Sequence, residues 1–96
     1  MQSTEYSKIK YVKPLENYRL FIIFENGAIK LYSLLPKLQQ PAFKALENVE
    51  LFNSVQSDKG GYGIIWNDDI DLSEYELWKN GVLLTSIETL TKNVMG

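Results

Sequence analysis

The chain has 96 residues, 45% of them hydrophobic and 23% charged, the length and composition of one globular domain rather than of a disordered segment. It contains neither Cys nor His, which excludes disulfides, thiolate or imidazole catalysis and ordinary zinc sites. The net charge of −2 and pI near 5.0 argue against a direct nucleic-acid partner, although residues 1–46 carry +4 and residues 47–96 carry −6, a split that suits either two solvated faces or a charged partner.

The opening "MQSTEYSKIK" lacks the apolar centre of a signal peptide. No later run approaches the roughly 20 apolar residues that span a bilayer. A soluble, cytoplasmic protein with no membrane partner is expected. "KIKYVKP", Lys8–Pro14, alternates and reads as a first strand closed by its proline, and "PLENY" reads as a turn. In "YRLFIIFENGAIKLY", two β-rich runs flank Asn26-Gly27, the preferred pair for a two-residue type I′ hairpin because both positions need positive φ. That turn sets Phe24 against Ile29 and Ile22 against Leu31. One face then holds Leu20, Ile22, Phe24, Ile29 and Leu31 and is the expected core. The other holds Phe21, Ile23 and Tyr32 among charged residues and needs cover.

"SLLPKLQQPAFKAL" has two prolines and no clean period, so it reads as an irregular crossover with a short helical turn. "NVELFNSV" predicts a short helix capped by Asn48, with Glu50 in its first turn and Leu51, Phe52 and Val55 facing inward. "VQSDKGGYGIIW" predicts a second strand pair turning at Lys59-Gly60-Gly61, with Trp66 in the core.

"IIWNDDIDLSEYELWKNG" is the stretch richest in chemistry, with five carboxylates between Asp68 and Glu76. Ser73 as N-cap makes Glu76 the third helical residue of a Ser-x-x-Glu capping box, with Leu72 and Leu77 as the hydrophobic staple. Glu74 and Glu76 then face the positive end of the helix dipole. Gly81 falls where a left-handed residue would end the helix. One local structure thus accounts for both glutamates. Asn67, Asp68, Asp69 and Asp71 suit an Asx turn between strand and helix. Asp68, Asp69 and Asp71 are weak candidates for a cation site, since calcium wants more oxygen ligands and a turn glycine. No catalytic residue and no cofactor is assigned. Tyr75 and Trp78 share a helix face and are either packing residues or partner contacts.

In the tail "VLLTSIETLTKNVMG", Leu83, Ile87, Leu90 and Val94 form a stripe at helical spacing. A helix from about Ser86 to Val94 is below the roughly 12–15 residues that are marginal in water, so it must dock. Leu83, Ile87 and Leu90 join Tyr75 and Trp78 as candidate contacts. The chain divides into one α+β domain over residues 1–82 and a docking tail over residues 83–96.

The order of these features resembles the bacterial family called domain of unknown function 2442. Phe24 and Gly27 match its Phe-x-x-Gly hairpin. Leu51, Phe52 and Val55 match its Leu-Phe-x-x-Val helix. Trp66, Asp71 and Leu72 match a Trp-x-x-x-x-Asp-Leu junction, and Leu77, Trp78 and Gly81 match a Leu-aromatic-x-x-Gly helix. The chain departs from the pattern at Asn67 and Asp69, where Pro and Gly are usual. The resemblance covers about residues 8–81 and implies a small α+β domain with no established activity. It also implies kinship with proteins paired with a second small protein, as in toxin–antitoxin modules.

The expected architecture is therefore α+β: an antiparallel sheet of about five strands, made of the N-terminal hairpin plus a second strand pair, with two or three short helices. The expected function is a non-catalytic protein–protein interaction or regulatory module, antitoxin-like, whose partner is another small protein or a second copy. The alternative is a small metal-dependent or ligand-binding enzyme centred on the acidic turn after Trp66.

Overall fold

A computed structural model of the chain describes residues 7–84. Three strands open the fold: β1 (Ile9–Leu15), β2 (Arg19–Phe24) and β3 (Ile29–Ser33). Two 3₁₀ segments, Leu35–Lys37 and Pro41–Glu47, lead to the helix α1 (Val49–Phe52). Then follow β4 (Gln56–Ser57), β5 (Gly63–Asn67), β6 (Ile70–Ser73), the helix α2 (Glu74–Asn80) and β7 (Val82–Leu84). The class is α+β. The strands form two antiparallel sheets, β1-β2-β3-β7 and β4-β5-β6, rather than one sheet of five. The two further strands are β6 and β7, both too short to declare a period. Ile9 N–H donates to the Gly61 carbonyl at 2.8 Å and joins the two sheets.

β1 runs through Pro14, which pairs with Leu20. It is an outer strand of its sheet, where a missing N–H is tolerated. Asn17 and Tyr18 both take positive φ, 63° and 58°, and turn the chain into β2.

The hairpin that follows departs from the expected register. Gly27 N–H donates to the Phe24 carbonyl and Phe24 N–H to the Ala28 carbonyl, both at 2.9 Å. The loop is therefore the three residues Glu25, Asn26 and Gly27, with Gly27 alone at positive φ, +93°. This is the geometry of a turn closed by a left-handed glycine bulge. Asn26 stabilises it by accepting the Ala28 N–H on Oδ1 at 2.9 Å. One extra loop residue reverses every side chain of the returning strand. Ile22 now faces Lys30, and Leu20 faces Tyr32. The buried face is Leu20, Ile22, Phe24, Lys30 and Tyr32, while Ile29 and Leu31 turn to the other side with Phe21 and Ile23.

The crossover is irregular, as expected, and each 3₁₀ segment has a proline in its first turn, where no N–H is needed. Asn48 Oδ1 caps α1 by accepting from Glu50 N at 2.9 Å and Leu51 N at 3.2 Å. Phe52 and Val55 are buried and Leu51 packs against them. The core joins both sheets through aromatic contacts. Phe52 lies 5.3 Å from Tyr18 and 6.4 Å from Trp66, centroid to centroid. Trp66 is buried, and its Nε1–H donates to the Phe52 carbonyl at 3.0 Å, so the indole satisfies its one polar atom inside the core.

Ser73 caps α2 as expected, its Oγ accepting Glu76 N–H at 3.1 Å. Leu72 and Leu77 are both buried in the same cluster. Gly81 is not left-handed: φ is −77° and ψ 154°. The helix passes directly into β7, which requires extended backbone. Glycine is needed here for space, because a Cβ would lie 2.6 Å from the Leu77 carbonyl oxygen. Leu83 and Leu84, assigned from sequence to the tail, belong to β7 and pair with Lys30 and Ile29. The expected helix at Ser86–Val94 lies outside the described residues.

Candidate functional site

The acidic stretch resolves into separate structural parts. Asp68 and Asp69 form the two-residue loop between β5 and β6, since Asn67 pairs with Ile70. Neither takes positive φ. The hairpin accommodates this with a register shift between Ile65 and Asn67, as a β-bulge would. Asn67 Oδ1 accepts from Asp69 N at 2.8 Å and Ile70 N at 3.0 Å, so the Asx turn is built by the asparagine. Asp68, Asp69 and Asp71 are exposed, Asp71 pointing outward between buried Ile70 and Leu72. Among the described residues no group of three or more His, Cys, Asp or Glu lies together to hold a metal ion.

The two glutamates of α2 have opposite environments. Glu74 keeps one carboxylate oxygen, Oε2, buried without a hydrogen-bond partner. Burial pushes its pKa up and Asp58 adds to this, against the attraction of Lys8. Glu76 is held below the ordinary carboxylate value. Burial pushes it up, but hydrogen bonds from Tyr32 and Asn80 and the charge of Lys37 outweigh that. Tyr32 Oη donates to Glu76 Oε2 at 2.8 Å, Asn80 Nδ2 donates to the same oxygen at 2.9 Å, and Lys37 Nζ stands 3.5 Å away. Burial, then Glu76, raises the Tyr32 pKa far above 10, so the phenol stays a donor.

Lys30 is the second inward polar residue of β3. It is buried, its Nζ donates to the Trp78 carbonyl, and it sits 4.0 Å from the Trp78 ring centroid. Burial lowers its pKa. A cation on a carbonyl of the last helical turn complements the helix dipole. Lys30 and Tyr32 thus tie the four-stranded sheet to α2. Sequence reasoning placed both on the mixed face opposite the expected core, because a hairpin loop one residue shorter turns them there. The only local hint is that Asn26-Gly27 also fits the three-residue loop with glycine at its left-handed position.

Around the end of β3, Tyr32 and Glu76 border an open cavity of ≈ 590 Å³. β7 pairs only with Ile29–Leu31, so among the described residues no strand lies beside Ser33 on the side away from β2. Leu31, Pro36 and Val82 give apolar walls, and Arg19, Lys37 and Glu76 bring charge.

The expected partner contacts separate. Trp78 packs edge-on to Phe24 at 5.0 Å and is half-buried against the core. Tyr75 is half-exposed, with Lys79 Nζ 5.7 Å from its ring centroid. Leu83 is 53% exposed and its neighbour Val82 66%, both on β7, the outermost strand of its sheet among the described residues. Ile87 and Leu90 lie outside the described residues. Next to this edge, the side of the sheet turned from the core carries Phe21, Leu31 and Val82 in one cross-strand row and Tyr11, Ile23 and Ile29 in the next.

Among the described residues no helix is long and apolar enough to cross a membrane. Comparison with curated proteins and with solved structures found no match. Residues 9–82 match the model of the family described as "Protein of unknown function (DUF2442)", and the chain belongs to that family.

Proposed function

We propose that this chain is a non-catalytic protein–protein interaction module, an antitoxin-like regulatory partner of another small protein or of a second copy of itself. The observation that carries this reading is β7, the outermost strand of its sheet among the described residues. In the β2–β3 ladder the bonded pairs alternate from Phe24–Ala28 to Tyr18–Leu34. Lys30 and Tyr32 therefore bond to β2, while Ile29 and Leu31 turn toward β7. Val82 and Leu84 answer them, and the N–H and C=O of Leu83 point away from β3. Edge strands usually carry a charge, a proline or a bulge that blocks further pairing. Val82, Leu83 and Leu84 carry none of these. Strand addition at such an edge takes affinity from main-chain hydrogen bonds, and the adjoining apolar rows supply surface to bury.

The test is co-expression with the product of the adjacent small gene, with light scattering on the chain alone and on the pair. Wild type forms a homodimer or a one-to-one complex. Leu83→Lys abolishes it with little change in melting temperature, since Leu83 is half-exposed. A wild-type chain that stays monomeric and fails to bind the neighbour's product, or an association indifferent to Leu83→Lys, would defeat the proposal.

A further inference from the structure

We propose that the cavity at the free end of β3 is a binding site for a monocarboxylate with an apolar body. The inference is independent of association at β7. A volume of ≈ 590 Å³ lies within the range of small-ligand pockets, about 300–1,000 Å³. Its charge is unbalanced. Arg19 and Lys37 are two cations against the single carboxylate of Glu76. Glu76 already receives Tyr32, Asn80 and Lys37. Arg19 is exposed, its Nε–H donates to the Glu16 carbonyl at 3.1 Å, and among the described residues it makes no ion pair. One positive charge on a planar, forked donor is therefore left for a ligand, and that fork matches a carboxylate.

Neutral groups add to this. Ser33 pairs with Arg19 across the ladder, and its N–H and C=O turn toward the free edge by the same alternation that points those of Leu83 outward. The walls formed by Leu31, Pro36 and Val82 favour an aliphatic body over a sugar or a nucleotide. Glu76, ionised in the lining, repels a second negative charge, which selects a monoanion over a phosphate dianion. The same chemistry is offered by a free aliphatic acid and by the C-terminus of a peptide ending in an apolar residue.

The test is an amide-resolved NMR titration of the ¹⁵N-labelled full chain with hexanoate, with hexanamide, and with an acetylated Ala-Leu peptide as free acid and as C-terminal amide. At least one acid shifts the amides of Ser33, Lys37 and Asn80 saturably, and its amide counterpart does not. Arg19→Gln weakens that binding by about tenfold or more with an unchanged thermal melt, and Lys37→Gln weakens it too while lowering the melt through loss of its ion pair with Glu76. Binding of hexanoate without the peptide acid identifies a free acid as the ligand, and the reverse identifies a chain terminus. Absence of saturable shifts with both acids overturns the proposal. So does an amide that binds as well as its acid, or affinity that neither variant lowers. The comparison of acid with amide is made on the wild-type chain, so it stands even if a variant folds poorly.

Discussion

Glu74 and Glu76, two residues apart in the first turn of α2, show how far neighbours decide what a carboxylate contributes. Both sit where the helix dipole favours negative charge, yet only Glu76 finds donors. Its pKa is depressed in the fold. Its stabilisation is therefore present above the ordinary value of 4.5 and lost as pH falls through the lower folded value. Glu74 is raised above 4.5, so its ionised form is penalised at neutral pH and relieved as pH falls through the raised value. Glu76→Gln is expected to cost about 1.5–3 kcal/mol at neutral pH, the range for hydrogen bonds to a charged group. Glu74→Gln is expected to stabilise by up to about 1 kcal/mol, because it removes the charge that burial and Asp58 penalise. Both differences shrink well below pH 4.5. Thermal melts of the three proteins at neutral and acidic pH check the signs. Two variants that shift in the same direction at neutral pH would contradict these environments.

At the scale of elements, caps and turn residues act locally and their effects are separable. α2 spans seven residues, too few to hold without its cap and its packed face. Ser73→Ala is expected to lower stability by about 0.5–2 kcal/mol, read as a lower urea midpoint, and Ser73→Asp to retain most of it. The glycines of the hairpin and the helix end differ in cause. At Gly27 nothing lies within 4 Å of an added Cβ, and the strain is in φ. Gly27→Ala is expected to cost about 1–2 kcal/mol, the penalty of a left-handed alanine. At Gly81 φ is ordinary, but the Cβ meets the Leu77 carbonyl at 2.6 Å and Lys30 Cβ at 3.2 Å. Gly81→Ala is expected to lower the urea midpoint further than Gly27→Ala does, because backbone on backbone cannot give way. Equal midpoints for the two variants would show that the α2–β7 junction relaxes freely.

For the molecule as a whole, β7 determines how far the four-stranded sheet extends among the described residues. It closes the side of β3, and its Leu84 is buried and pairs with Ile29. A chain ended after Gly81 loses those hydrogen bonds and opens Ile29 and Leu31 as a new edge. It is expected to unfold at lower urea than a chain ended after Leu84, and to aggregate more readily. Denaturant melts and light scattering on both check this. Identical midpoints would mean that β7 adds nothing to the fold.

What the sequence determined alone is what short-range chemistry controls. Asn48 and Ser73 as caps, Phe52 and Trp66 as core, the irregular crossover and the α+β class were all legible, because a cap or an amphipathic turn is decided within about five residues. β6 was not legible, since Ile70 and Leu72 are too few to establish an alternation. The hairpin was legible as a hairpin but not in register, because Asn26-Gly27 suits loops of two and of three residues alike. That choice is made by which face of β3 can be buried. Only the tertiary structure supplies Glu76 and the Trp78 carbonyl to receive Tyr32 and Lys30, and with those partners two polar side chains can be buried where the local pattern placed Ile29 and Leu31. The cavity at the end of β3 follows from the same decision. It brings together Arg19, Ser33, Lys37 and Glu76, residues spread over four segments whose meeting no local pattern in the chain encodes.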